Sequence, residues 1–304
     1  MGRLTVKLGD WELDNPIIPA SGTFGFGYEF AQYYNLDKLG SISLKGTTKE
    51  PRFGNPTPRI AECEAGVINA IGLQNPGVHK VIEEELPKLR QVFHKKVIAN
   101  ISGFSVEDYA YTAALFDQEA DVGILEINVS CPNVRHGGMA FGTDPEAAAS
   151  VCRAVKQAVK KPVYMKLSPN VTDIVAIAKA TEQAGADGIV LINTLLGMRI
   201  EPRTGKPIVS TKMAGFSGPA VKPVALRMVY QVCQAVNLPV IGVGGVQCAD
   251  DVLEFLSAGA SAVQVGAQNL VDPWACPRVI EELPHKMDEY GIETLQEIIG
   301  RAQE

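Results

Sequence analysis

Short, unbroken apolar runs recur along the chain, separated by longer stretches in which apolar residues return every three or four positions. The runs are NPIIPA (15–20), SISLK (41–45), KVIANIS (96–102), GILEINVS (123–130), PVYMKLS (162–168), GIVLIN (188–193), PVIGVGG (239–245) and AVQVGA (262–267). Continuous apolar strands of this length suit a parallel sheet whose faces are both covered. The stretches between them read as helices. SVEDYAYTAALFDQEA opens on Ser105 with Asp108 three residues later, a capping-box pattern. TDPEAAASVCRAVKQAVKK offers Asp144 as N-cap and Pro145 at the first helical position. VDPWACPRVIEELPHKM repeats an Asp-Pro start at Asp272 and Pro273, and its Pro277 and Pro284 should bend or shorten that helix.

An internal echo supports the alternation. QAGADGIVLIN (183–193) resembles SAGASAVQVGA (257–267), and QEADVGILEIN (118–128) is a looser third copy. Each is a helix end, a turn of small residues and a strand. Eight such strands predict an α/β fold of the (β/α)8 TIM-barrel type, with residues 1–304 forming one domain. An open doubly wound sheet would seldom need eight parallel strands. Two connections, 46–75 and 194–219, are too long for simple turns. Both follow strand C-termini, where barrel enzymes keep their chemistry. Their Gly and Pro punctuation predicts ordered functional loops inserted at the C-terminal face.

Composition narrows the function classes. The chain has 304 residues, 46% of them hydrophobic, and a net charge of −6. No basic stretch favours nucleic acid. No apolar run reaches the ~18 residues of a membrane span. The N-terminal MGRLTVKLGDWELDNP lacks a signal-peptide core, so a cytoplasmic protein is expected. None of the six cysteines is spaced C-x-x-C or sits near a His pair, so no metal site is expected in this chain. Cys152, within a helical pattern, reads as a core filler.

The strand ends carry the chemistry. Lys45, Asn100, Asn128, Lys166, Asn193, Gly244 and Gly266 all fall there. A single buried asparagine is commonly satisfied by backbone. Five polar ends directed at one face point instead to a polar ligand, because unpaired polar groups in a closed core are costly. The two lysines imply that the ligand is, or becomes, anionic. GVGG (242–245) and GAQ (266–268) end adjacent strands, where many barrels seat a phosphate on backbone N–H groups. Cys131, in NVSCPNV, follows a strand end and precedes the glycine-containing RHGGMAFG. On that stretch alone a gap-filling thiol is the commoner reading.

ASGTFGFG (20–27), LKGTT (44–48), NAIGLQNPG (69–77), NVSCPN (128–133), KLSPN (166–170), INT (192–194), GFSGPAVKPVAL (215–226), GVGG and VQVGA occur in this order along nearly the whole chain. The set resembles the dihydroorotate dehydrogenases. Within them it is most similar to the catalytic subunits of class 1B, which work with an iron–sulfur flavoprotein and NAD. Cysteine rather than serine at position 131 matches class 1, and fumarate-linked class 1A is the nearer rival.

The resemblance implies FMN and the oxidation of dihydroorotate to orotate in pyrimidine biosynthesis. It implies flavin contacts from Ser21, Lys45, Gly46, Asn100, Asn128, Lys166, Ile192 and Gly218, with the phosphate on Gly244, Gly245, Gly266 and Ala267. The family commonly has Thr at position 267, so Ala267 lacks a hydroxyl donor but keeps its backbone N–H. Substrate contacts are implied for Lys45, the stretch Asn69, Ala70, Ile71, Gly72 and Leu73, and for Asn128, Asn193 and Thr194. Cys131 becomes the general base on a loop able to open and close, and Lys166 stabilises negative charge on the reduced flavin. The implied partner subunit carries FAD and a [2Fe–2S] cluster, in a heterotetramer of two catalytic and two electron-transfer subunits built on a homodimer core. Other readings are an FMN barrel acting on another dihydropyrimidine or on dihydrouridine, and a flavin-free barrel binding a sugar phosphate.

Overall fold

The computed structural model describes residues 2–130 and 141–303. Cys131 and most of the glycine-containing loop behind it lie outside the described residues. The strands, in chain order, are β1 (Val6–Leu8), β2 (Trp11–Leu13), β3 (Ile17–Pro19), β4 (Ile60–Cys63), β5 (Gly66–Asn69), β6 (Val97–Ile101), β7 (Val122–Asn128) and β8 (Val163–Lys166). They continue with β9 (Gly188–Leu191), β10 (Leu195–Met198), β11 (Ile200–Glu201), β12 (Lys206–Pro207), β13 (Met213–Ser217), β14 (Val240–Val243) and β15 (Ala262–Val265). The helices are α1 (Val78–Lys80), α2 (Leu86–Arg90), α3 (Val106–Asp117), α4 (Pro145–Ala158), α5 (Ile174–Gln183), α6 (Lys222–Cys233), α7 (Ala249–Ser257), α8 (Gln268–Val271) and α9 (Ala275–Tyr290).

Among the described residues, seven strands form one parallel sheet in the order β3-β15-β14-β9-β8-β7-β6. The remaining gap, between β3 and β6, is filled by the segment expected as the second strand. It bridges Ser43 to Ile98 and Thr47 to Ile101. On its other side the Ser43 N–H donates to the Pro19 carbonyl at 3.2 Å. The curled sheet is therefore closed into a TIM barrel, but its eighth member is a pair of bridges rather than a ladder. The reason is local: the Lys45 N–H turns away to the Gly25 carbonyl, and pairing resumes only where the Thr47 N–H meets the Asn100 carbonyl.

The caps follow the sequence for two helices. The Ser105 side chain accepts from the Asp108 N–H and that of Asp144 from the Ala147 N–H, each satisfying an orphan amide of the first turn. The third differs. The Asp272 carboxylate accepts from the Trp274 N–H, and α9 begins only at Ala275. It then runs sixteen residues through both prolines, so they do not shorten it. Pro277 sits in the first turn, where its missing N–H has no helical partner to lose.

The core is one large cluster inside the barrel and between barrel and helices, and Cys152 is fully buried within it, as its helical pattern implies. The hairpin β1–β2 covers the N-terminal end, where the Trp11 ring packs beside Gly123 at the start of β7.

The two long connections are ordered, and they fold beyond what a loop implies. They supply a four-stranded antiparallel sheet, β10-β13-β5-β4, with the small hairpin β11–β12 beside it. Its own small core is Ile68, Ala70, Val209 and Ala214.

Candidate active site

Alternation along a strand places every second side chain on one face. On β7 this puts Glu126 and Asn128 together, although neither neighbour in the apolar run marks Glu126 as special. Glu126 is fully buried, and four donors converge on it. Asn100 Nδ2 on β6 reaches Oε1 at 2.5 Å, Lys166 Nζ on β8 at 3.0 Å and Ser43 Oγ at 3.5 Å. Gln264 Nε2 on β15 reaches Oε2 at 2.5 Å, and Gln264 Oε1 accepts a second bond from Lys166 Nζ at 3.1 Å. Five side chains from five elements thus form one closed polar layer across the barrel. Burying two opposite charges is tolerable only when hydrogen bonds compensate for lost water, and here Glu126 accepts from four donors while Lys166 donates to two acceptors.

A second polar set lies at the strand ends. Asn128 Nδ2 donates to Ser102 Oγ at 3.2 Å, while its Oδ1 accepts from Ser130 Oγ at 2.6 Å and from Asn193 Nδ2 at 3.2 Å. Asn193 Nδ2 also contacts Ser130 Oγ, and its Oδ1 accepts from the Thr194 N–H at 2.8 Å. The Tyr109 hydroxyl ties down the Asn128 carbonyl at 2.9 Å.

The two sets meet near Gly46. A side chain there would approach Asn100 Oδ1 to 2.8 Å and Leu73 Cδ2 to 3.6 Å. Asn100 Oδ1 is buried and has no partner among the described residues. Lys45, next in the chain, is half-buried and has no carboxylate partner among them either. Burial, reinforced by the Arg59 guanidinium, pushes its ammonium below the usual lysine range. An acceptor without a donor and a cation without an anion are the arrangement a polar, anionic ligand would complete.

The glycines divide into two kinds. Gly244 and Gly245 adopt φ of +132° and +77°, conformations that L side chains rarely take. A Cβ on Gly244 would meet Ala225 on α6 at 2.9 Å, and one on Gly245 would meet the Lys222 backbone at 2.8 Å and the Gly218 carbonyl at 3.0 Å. These glycines are demanded by the packing of α6 against β14. At Gly266 the backbone is ordinary, and only Ala20 Cβ, at 3.8 Å, lies near a built Cβ. Open space there, after β15 and beside Ala267, is where a ligand can approach the backbone.

The other expected positions fall around this mouth. Ser21 is buried just beyond β3, and Ile192 is buried just beyond β9 with its N–H on the Val243 carbonyl at 3.0 Å. Gly218 abuts Gly66 at the start of β5. Asn69 ends β5 and pairs with Ile60 and Gly215. The stretch 70–73 is held by Asn55, whose N–H donates to the Ile71 carbonyl at 3.0 Å and whose Nδ2 donates to the Ala70 carbonyl at 2.9 Å.

Glu126, Gln264, Ser43 and Ser102 went unnoticed in the sequence. A signal existed for Glu126: a carboxylate in an otherwise apolar strand, two residues before Asn128 and so on the same face.

All five described thiols are held protonated. Burial pushes Cys152 and Cys233 up to about 12, Cys276 higher still, and raises Cys63 and Cys248. Among the described residues no group of three His, Cys, Asp or Glu is placed to hold a metal, and no helix is long and apolar enough to cross a membrane. An outer groove of about 790 Å³ between α6 and α7 contains none of the residues singled out above.

Comparison with known proteins identifies the family. The sequence model of the family described as dihydroorotate dehydrogenase matches residues 3–287. The dihydroorotate dehydrogenase B (NAD(+)) catalytic subunit of Geobacillus kaustophilus is 60% identical over 302 residues, covering 99% of this chain and 96% of that protein. The protein of the same name from Bacillus caldolyticus is 58% identical with the same coverage. A solved structure of DHODH from Eimeria tenella in complex with ferulenol superposes with a TM-score of 0.81 at 21% identity, covering 99% of this chain and 89% of that one, a likeness of fold.

Proposed function

The chain belongs to the dihydroorotate dehydrogenase family, and from that premise we propose how its residues carry out the NAD-linked oxidation of dihydroorotate to orotate. The observation that carries the reading is the buried Asn100 Oδ1, which has no partner among the described residues and lies beside Gly46, on the same side chain whose amide joins the Glu126–Lys166 layer.

FMN fits these groups. Its ring would rest against Lys45, Gly46, Asn100, Asn128, Lys166, Ser21, Ile192 and Gly218. Its phosphate would lie along the backbone of Gly244, Gly245, Gly266 and Ala267. When bound, FMN supplies the acceptor for the C6 hydride. Cys131, just past the end of β7, takes the C5 proton from the opposite face of the substrate. The Asn128–Asn193 pair, with Thr194 and the stretch Asn69, Ala70, Ile71, Gly72 and Leu73, presents donors and acceptors to the edge of the planar orotate ring. Lys45 offsets the substrate carboxylate. Lys166 offsets the negative charge that arrives at the ring. The antiparallel sheet covers the mouth and keeps water from the reacting atoms.

The relatives named above are catalytic subunits. In the same reading, electrons leave this cytoplasmic chain, one barrel domain spanning residues 1–304, through a partner carrying FAD and a [2Fe–2S] cluster. The assembly contains two copies of each subunit around a homodimer of catalytic chains.

The test is the visible spectrum of the purified chain, followed anaerobically on adding dihydroorotate. A flavin spectrum that bleaches is expected; a folded, colourless chain that takes up no FMN would overturn the reading. Gly266→Leu, which fills open space without straining the backbone, should fold and lose flavin, and full flavin content would remove the phosphate from that turn. The chain alone should pass electrons to dyes but not to NAD. Rapid fumarate reduction would place it with the fumarate-linked class instead.

A further inference from the structure

Glu126 is fully buried and touches only side chains of the barrel interior among the described residues. A carboxylate can only accept hydrogen bonds, and its two oxygens offer about four sites. Here the amides of Asn100 and Gln264, the Lys166 ammonium and the Ser43 hydroxyl converge on it. Two consequences follow from the carboxylate alone. The amide nitrogens of Asn100 and Gln264 must face it, so their carbonyl oxygens face elsewhere. One of these, Gln264 Oε1, accepts from Lys166, and the other, Asn100 Oδ1, has no partner among the described residues and lies beside Gly46. The Lys166 charge is also balanced from below, at 3.0 Å.

We propose that Glu126 is a positioning residue that sets the electron affinity of the bound flavin by balancing the charge of Lys166. This rests on the FMN reading above. It assigns Glu126 no contact with substrate or cofactor. A glutamine at this position would remove the countercharge and would turn an NH₂ group against one of the four donors. The Lys166 ammonium would then raise the positive potential at the bound flavin without opposition, and the flavin would be more easily reduced.

The measurement is an anaerobic spectroelectrochemical titration of the FMN-loaded chain, run on the parent, Glu126→Gln, Lys166→Met and the double variant. Melting temperatures of the FMN-free chains are taken in parallel. At a fixed solution potential Glu126→Gln should raise the ratio of reduced to oxidised flavin about tenfold, equal to ~30 mV for a two-electron couple. On the Lys166→Met background the same change should move the ratio by less than about threefold, since the residue through which Glu126 acts is gone. A purely structural role would lower the melting temperature and leave the ratio in place, which overturns the proposal. Equal shifts on both backgrounds overturn it too, because Glu126 would then act without Lys166. Should Glu126→Gln not fold, Glu126→Asp keeps the charge but withdraws it from Lys166, and an unchanged ratio in that variant also counts against the proposal. A parent chain that takes up no FMN defeats the FMN reading itself, an outcome distinct from a loaded flavin whose potential does not respond.

Discussion

The barrel interior and the antiparallel sheet over its mouth satisfy their polar groups in opposite ways. Inside, Ser43, Asn100, Glu126, Lys166 and Gln264 bond to one another, side chain to side chain. In the sheet and its flanks, side chains bond mainly to backbone: Asn55 to the Ala70 carbonyl, Arg59 to those of Phe53 and Asn55, Arg199 to that of Glu62 and Ser210 to that of Pro56. The interior is sealed, so removing one partner leaves another buried and unpaired. The sheet is open on one side, with Ile60, Leu196, Met198 and Met213 exposed, and solvent can replace a lost partner. The interior should therefore govern stability and flavin chemistry together. The covering sheet should govern how well the substrate is held, at little cost to the fold.

The largest effect tests whether chemistry belongs to the barrel strand ends at all. A free thiol titrates near ~8.5, and serine is a far weaker acid. Cys131→Ser should still bind FMN and orotate, yet its flavin should be reduced by dihydroorotate about 10⁴-fold more slowly at neutral pH, with the rate rising only at higher pH. Stopped-flow reduction across pH checks this, with Cys152→Ser as the unaffected control. The parent rate and pH profile in Cys131→Ser would remove the thiol from the role of base.

Next in size is Glu126→Ala, which strands the Lys166 ammonium in the interior. Loss of one partner from a buried pair costs about 3–5 kcal/mol. Denaturant unfolding of the FMN-free chain should show it, and a loss below about 1 kcal/mol would mean that water reaches the layer.

Asn55→Ala probes the other side of the comparison. It removes one hydrogen bond to the 70–73 stretch, worth about 1 kcal/mol. Orotate affinity should fall about fivefold while the melting temperature barely moves. A large loss of stability with unchanged affinity would reverse the roles given to the two regions.

The smallest effect has the opposite sign. The folded-state pKa of Lys45 is depressed by burial and by Arg59. Below that pKa both folded and unfolded chains carry the proton, and the full penalty of the buried charge is present. As pH rises through the folded pKa the folded chain sheds its proton first, so stability recovers toward the unfolded value near ~10.4. Lys45→Met should raise the melting temperature of the ligand-free chain at neutral pH by about 2 °C and flatten this rise, while weakening orotate binding. A lower melting temperature would show that the cation is already compensated without ligand.

Much of the barrel was legible because its signals are local. The apolar runs became β3, β6 to β9, β14 and β15, and Ser105 and Asp144 cap the helices they precede. The covering sheet was not legible. Its central pairing joins Ile68 to Phe216, and its strands are short and flanked by Gly and Pro, so neither segment carries a strand pattern alone. The site was legible where a polar residue ends an apolar run, as at Asn128, Lys166 and Asn193. It was missed where the polar residue lies within one, as at Glu126 and Gln264. Gly244 and Gly245 were recognisable as special positions, but only the packed helix α6 shows why their backbone must be free of Cβ.

By itself, the sequence determined the alternation of strand and helix, hence a barrel, and the residue types at the strand ends, hence a polar anionic ligand. Both rest on periodicity and on the cost of burying polar groups, which act within a few residues. The tertiary structure decided which of those side chains meet. Closing the sheet brought β6, β7, β8 and β15 into reach of one another and made Glu126 the common acceptor for Asn100, Lys166 and Gln264. Hydrogen-bond partners are selected by distance in space, and for side chains on different strands that distance exists only once the ring has closed.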